Sequence, residues 1–257
     1  MRKLAFIAAA AAVALSAATA ATTARAAGEV KEPADLSWQS DGPFGTYDYA
    51  SVQRGLHVYR NVCSACHSLK RVHFRNLTEI GLSEEQAKAI AAEYQVTDGP
   101  NDDGEMFQRP GKLADAFPSP FPNDKAARAA NGGALPPDLS LIIKAREDGK
   151  NYVHALLTGF QEPPAGVHVR PGMNYNPYFP GHQIAMPPPL SDDAVEYADG
   201  TQPTLDQEAR DIVNFLSWAA EPTMEQRKRI GIKVVLFLLV FAGVLYAAKR
   251  KIWADVH

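Results

Sequence analysis

The sequence predicts a mainly α protein: one exported helical domain with long loops, then a single C-terminal transmembrane helix. Three observations carry that prediction. Strand-like alternation is scarce, whereas Val52, Leu56 and Tyr59 fall on one helical face, as do Leu205, Ile212, Phe215 and Leu216. Pro and Gly, 19 and 18 residues respectively, gather between such stretches, so the helices are joined by extended connections. Residues 230–248 carry a single charge, Lys233. At 1.5 Å per residue, about 20 apolar residues cross a ~30 Å hydrocarbon core.

The ends of the chain set the compartment. Residues 1–26 read as a signal peptide: Arg2 and Lys3 are followed by an Ala-rich apolar run and by small residues at Ala24 and Ala26, so the mature chain starts near Ala27. A retained N-terminal anchor is the competing reading, weakened by the shortness of the run and the cleavage pattern. Residues 227–257 form the anchor with a short inner tail. Arg227, Lys228 and Arg229 precede the apolar run and Lys249, Arg250 and Lys251 follow it. These clusters balance, so orientation comes from the signal peptide, which puts the large domain outside. Tyr246 and Trp253 are placed as interfacial anchors.

Residues 27–226 hold 16 Lys and Arg against 28 Asp and Glu, a net −12, although the whole chain is only −3. That field argues against a nucleic-acid partner and favours a basic soluble one, which it steers in a salt-dependent way.

The chemistry centres on Cys63-Ser64-Ala65-Cys66-His67. Cys-x-x-Cys-His is the attachment sequence of a c-type haem. Two intervening residues bring both sulfurs to one edge of the porphyrin, and the adjacent imidazole reaches the iron. One covalent haem c follows, held by Cys63, Cys66 and His67. A zinc site is short of ligands, because these are the only two cysteines. A thioredoxin-like pair lacks its βαβ context and leaves His67 unexplained.

In chain order, residues 48–62 form a helix running into the motif. Gly55 within it is either the mark of a close helix crossing or a tolerated surface glycine. Lys70, Arg71 and Arg75 could approach the haem propionates or form a solvated face. Ser83, with Glu84, Glu85 and Gln86 behind it, starts a helix to about Gln95. Residues 98–111 are a loop whose acids serve docking or solvation. Asp138 or Ser140 caps a helix through Arg146, and residues 151–157 form another. Residues 162–181, with Tyr175, Tyr178 and Phe179, form a loop that packs on something apolar, such as haem. Residues 191–197 open as a short acidic helix. Thr204 caps the last soluble helix, to Ala219, whose Phe215 and Trp218 should meet Gly55 and Tyr59 where the first and last helices cross.

A low-spin electron carrier also needs a sixth iron ligand, usually Met. Met186 lies in Ile184-Ala185-Met186-Pro187-Pro188-Pro189, where three fixed-φ prolines supply a stiff mount. Met173 is next; Met106 and Met224 suit the role less, and His57 and His154 read as ordinary helix residues.

Together with Gly42-Pro43-Phe44-Gly45, Leu135-Pro136-Pro137-Asp138-Leu139, Asn176-Pro177-Tyr178-Phe179-Pro180-Gly181 and Trp218-Ala219-Ala220-Glu221-Pro222, these motifs make the mature chain resemble the cytochrome c1 family. The resemblance implies an elaborated class I c-type cytochrome domain, Met186 as axial ligand with His67, and Arg128 near a haem propionate. It further implies an electron-transfer subunit of a dimeric quinol–cytochrome c oxidoreductase. There, cytochrome b is its neighbour, a Rieske iron–sulfur protein its donor and a soluble c-type cytochrome its acceptor, with no catalytic side chain of its own. The expected place is the bacterial inner membrane, single-pass, with the haem domain on the periplasmic side. The alternative is a membrane-anchored c-type cytochrome serving another oxidase or dehydrogenase. Some bacterial relatives brace the loop before the axial Met with a disulfide, which this chain cannot form.

Overall fold

The computed structural model describes residues 30–256; the expected signal peptide, residues 1–26, lies outside them. The architecture is mainly helical, with two small two-stranded sheets. Helix α1 (Tyr49–Asn61) starts where Asp48 accepts from the Ser51 amide at 3.1 Å, an N-cap. Helix α5 (Leu205–Ala220) starts on Thr204, whose hydroxyl accepts from the Gln207 amide.

α1 and α5 cross as the apolar faces require. A side chain added at Gly55 would collide with the Asp211 carbonyl oxygen and lie 2.6 Å from Phe215 Cβ. The glycine is therefore the contact point of the crossing. Beside it the Tyr59 and Phe215 rings lie 5.8 Å apart, and Trp218 lies beyond Phe215 at 5.9 Å, tilted to it. Val52, Leu56, Ile212, Leu216, Phe74, Leu77, Ile80 and Phe117 complete one core. Each such side chain contributes about 1.5–3 kcal/mol by leaving water.

The same crossing contains a buried charge. The side chain of Asp211 is wholly inaccessible and accepts from Ser51 Oγ at 2.6 Å, Gln207 Nε2 at 3.1 Å, and Arg54 through Nε at 2.9 Å and Nη2 at 3.1 Å. This bidentate pair satisfies a charge that burial would otherwise make prohibitive.

Helix α2 (Glu84–Ala92) has the expected Ser83–Gln86 capping box, but ends at Ala92. The next residues form β1 (Gln95–Asp98), which pairs antiparallel with β2 (Phe107–Pro110) in the register Gln95↔Pro110. The expected loop over 98–111 is thus the turn and second strand of a hairpin. Two four-residue strands are too short to leave a periodic signal, and Arg109, paired with Asp98 and Asp115, holds them together.

Two expected helices are absent. Residues 139–147 and 191–197 form turns. Asp138, one of the two cap candidates, and Asp192, expected inside the acidic helix, each accept from a distant amide instead. Asp138 accepts from the Lys70 amide and Ser68 Oγ. Asp192 accepts from the Leu205 amide at 2.8 Å, reinforcing the start of α5. Helix α3 (Asp124–Ala130) forms where no helix was expected, and helix α4 (Gly149–Thr158) forms where residues 151–157 were expected to be helical. α4 packs on α5, and Trp38 joins Val153 and Val213 in a second small core, its indole donating to Asn151 Oδ1 at 2.7 Å.

Helix α6 (Met224–Ile252) is 29 residues long, and beyond buried Met224 its apolar side chains are largely exposed. It is joined tightly to the domain. The Tyr47 amide donates to Glu225 at 2.8 Å, and the Tyr47 hydroxyl donates to the carbonyls of Ser217 and Glu221. α6 is long and apolar enough to cross a membrane.

Candidate haem site

The attachment motif is built by the end of α1. Beyond Asn61 the chain tightens into a 3₁₀ turn over Cys63–Ala65, and the amides of Cys66 and His67 both donate to the Cys63 carbonyl, at 3.2 and 2.9 Å. Ser64 Oγ donates to the Arg60 carbonyl at 2.8 Å. One turn therefore carries both thiols and the imidazole. Tyr59, buried in the crossing, donates its hydroxyl to the His67 carbonyl at 3.1 Å, which ties the turn to the core.

His67 Nδ1 lies 2.8 Å from the Pro137 carbonyl oxygen. A carbonyl only accepts, so Nδ1 carries the proton and Nε2 keeps its lone pair, the tautomer an axial ligand needs. Burial pushes the imidazole below the usual histidine range, while the Pro137 carbonyl and the Asp138 charge oppose that effect; the neutral form prevails at pH 7. Pro137 is itself held in place. The Leu139 amide donates to the Ser68 carbonyl at 2.9 Å, and Asp138 clasps Ser68 and Lys70. Burial alone would raise the Asp138 carboxyl, but those donors and Ser140 hold it below the usual range.

Burial pushes the Cys63 thiol up to about 12. A disulfide-exchange pair needs a lowered thiol instead, which Cys63 does not supply. Among the described residues no three His, Cys, Asp or Glu side chains are grouped to share a metal ion. Two unpaired thiols and a neutral imidazole with a free Nε2 suit the edge and iron of a c-type haem.

Met186 lies on a separate loop. Strands β3 (Asn174–Tyr175) and β4 (Gln183–Ile184) pair as Asn174↔Ile184, and half-buried Met186 follows two residues later. Asn174 Nδ2 donates to the Met186 carbonyl at 3.2 Å. The loop is fastened to the helices by Asn176, which is fully buried: its Nδ2 donates to the Leu156 carbonyl of α4 at 2.8 Å, and its Oδ1 accepts from the Tyr178 amide. Tyr178 packs on the backbone of Gly159 at the end of α4, so at least one loop aromatic has a protein partner rather than only haem.

The other ligand candidates are placed differently. Met224 is buried in the core, Met106 is exposed, and Met173 adjoins β3. His154 has its Nε2 engaged by Asp206 at 2.9 Å. His57 stands against the Tyr197 ring. Arg128, in the last turn of α3, donates to the Gly133 carbonyl at 3.0 Å and is exposed. Lys70, Arg71 and Arg75 are exposed and make no ion pair among the described residues. Sequence reasoning missed Pro137 and Asn176 as supports of the site. Their partners lie 70 and 20 residues away, and the one local signal was that each adjoins a proline, in Pro136-Pro137 and Asn176-Pro177.

A helical domain with a Cys-x-x-Cys-His turn on a neutral, oriented imidazole, fused to a candidate membrane span, defines a class: a tethered haem protein. The Cytochrome C1 family model matches residues 38–256. The chain is 56% identical over 221 residues to a protein of Arabidopsis thaliana named cytochrome c1 1, heme protein, mitochondrial, covering 86% of this chain and 72% of that one. It is 50% identical over 238 residues to cytochrome c1 of Rhodospirillum rubrum, covering 86% and 87%. A 51% match to the cytochrome b/c1 protein of Bradyrhizobium diazoefficiens covers 88% of this chain and 36% of that one. The chain belongs to the cytochrome c1 family. Membership makes it a haem-containing electron carrier of the bc1 complex, quinol–cytochrome c oxidoreductase.

Proposed function

We propose that the chain passes single electrons from a Rieske iron–sulfur protein to a soluble c-type cytochrome through one covalent haem c, beside cytochrome b in a dimeric complex. The observation that carries this reading is the His67–Pro137 contact within the Cys-x-x-Cys-His turn, since it presents Nε2 for ligation. Cys63 and Cys66 would supply the thioether sulfurs, and His67 and Met186 would hold the iron. When bound, haem supplies the one-electron iron couple, and a His/Met pair raises its potential. The protein's part is to orient the imidazole, hold the Met186 loop and exclude water; no side chain transfers a proton. Arg128 offers a cation to a propionate: Nη1 donates to the Gly133 carbonyl, and the remaining N–H donors of the guanidinium can turn to a carboxylate. The name of the Bradyrhizobium relative supports a place beside cytochrome b.

In this reading residues 1–26 are a cleaved signal peptide, 27–226 an exported, elaborated class I c-type domain, and 227–257 a single-pass anchor in the bacterial inner membrane. The haem domain then faces the periplasm. The net −12 of the domain supports a basic soluble acceptor. The test is purification from membranes followed by mass and spectral analysis. A mature chain heavier than its amino acids by one haem, with a reduced α-band, and cytochrome b and a Rieske protein in the same particle, is expected. Loss of the added mass in Cys63→Ala/Cys66→Ala ties it to the motif. A chain of bare polypeptide mass would end the proposal.

A further inference from the structure

The turn at residues 41–44 is pinned beside the point where α6 becomes apolar. Lys228 Nζ donates to the carbonyls on either side of it, Ser40 at 2.7 Å and Gly45 at 3.2 Å. The apolar run of α6 begins two residues later, at Ile230. Phe44, at the tip of that turn, is 80% exposed, more than Val240 in the middle of the span at 69%. The polar member of the turn, Asp41, is neutralised by Lys150. Next along the chain, Tyr49 is exposed and stands edge-on to Tyr47, whose amide holds Glu225 in the first turn of α6. Arg229 is exposed one residue beyond Lys228, and Arg227, exposed as well, is paired with Glu221.

A large aromatic left in water forgoes roughly 1.5–3 kcal/mol of burial. Aromatic side chains accompanied by cations at the edge of an apolar span are the pattern of the headgroup region. Phe44, between Gly42-Pro43 and Gly45, and Tyr49 are the two exposed aromatics of this stretch, whereas a specific protein interface needs on the order of 1,000 Å². We infer that residues 41–44 make a second, monotopic contact with the lipid surface, with Phe44 seated in the interface of the leaflet that α6 enters. A lone helix lets a domain pivot; a second point of contact, joined rigidly to the first by Lys228 and Tyr47, sets the tilt of the haem domain over the membrane.

This inference rests on α6 spanning the bilayer, and the test separates the two. A photo-reactive phenylalanine analogue is placed at position 44 of the full chain in native membranes containing a clickable fatty acid. Controls are Leu239 and Val240 in α6 and Met106 on the far hairpin. Lipid adducts at 44 several-fold above those at 106, in company with adducts at 239 or 240, are expected. Adducts in α6 but none at 44, or adducts at 44 only to another polypeptide, overturn the lipid contact alone. No lipid adducts at 239 or 240 overturn the span and this inference with it.

Discussion

The α1–α5 crossing and the loop that carries Met186 are built by opposite means. The crossing is two capped helices meeting at a glycine, with ring-on-ring packing and a buried Arg54–Asp211 pair. The Met186 loop has a two-residue ladder, prolines and two asparagine side chains standing in for secondary structure. One element is specified by burying apolar area over many contacts; the other by a few directed hydrogen bonds. A haem site needs both: a scaffold that does not move, and a ligand arm held firmly but by separable ties.

The comparison predicts unequal responses to substitution. Gly55→Val drives a branched side chain into the Asp211 carbonyl and should cost about 4 kcal/mol or more. Chemical denaturation would show the chain losing its cooperative transition; a stability within 1 kcal/mol of wild type would mean that the helices do not cross there. Met186→Leu should leave the fold and the covalent haem intact while lowering the potential by on the order of 100 mV. Redox titration reads this, and an unchanged potential moves the sixth ligand to another residue, Met173 first. Asn176→Ala strands the Leu156 carbonyl and the Tyr178 amide, at about 1–3 kcal/mol. That cost should be local: a Met–iron charge-transfer band fading on warming well before the helices unfold, rather than together with them.

A smaller effect distinguishes the crossing by pH. Glu208 on α5 is fully buried; Oε1 accepts from the Val195 amide at 3.0 Å, while Oε2 has no partner. Burial pushes its carboxyl above the usual range, helped by Asp192 and Asp193 and opposed by the amides of Val195 and Ala194. The folded state thus holds this proton more tightly than the unfolded chain. The stability it contributes is fully present below the unfolded carboxylate range and is lost as pH rises through the raised folded value. Glu208→Gln should remove that decline from a stability–pH profile, and an unaltered profile would show the carboxyl to be solvated. Least in size, reduction of soluble cytochrome c should slow as salt rises to physiological strength, since the domain's charge acts at a distance. A flat profile measured by stopped flow would remove the acidic surface from docking.

The crossing was legible in the sequence because its signals are local: faces at i, i+4 and i+7, a cap at Thr204, and a glycine whose two readings the opposing Phe215 face helps to separate; that Asp48 is the cap of α1 rather than its first residue came from the structure. Asp138 and Asp192 misled for the same reason. Asp138 resembles a cap of the residues that follow it and Asp192 the first turn of an acidic helix, yet they bind amides 68 and 13 residues distant. The hairpin over 95–110 escaped because strands of four residues show no period.

By itself the sequence determined the attachment motif, the apolar span, the charge asymmetry and the helical faces, all of which are properties of neighbouring residues. Only the tertiary structure decided which carbonyl orients His67, which amide anchors the Met186 loop, and that Tyr47 and Lys228 join the domain to α6. The physical reason is that a buried polar group must find a partner wherever the fold brings one. Spacing along the chain does not encode where that will be.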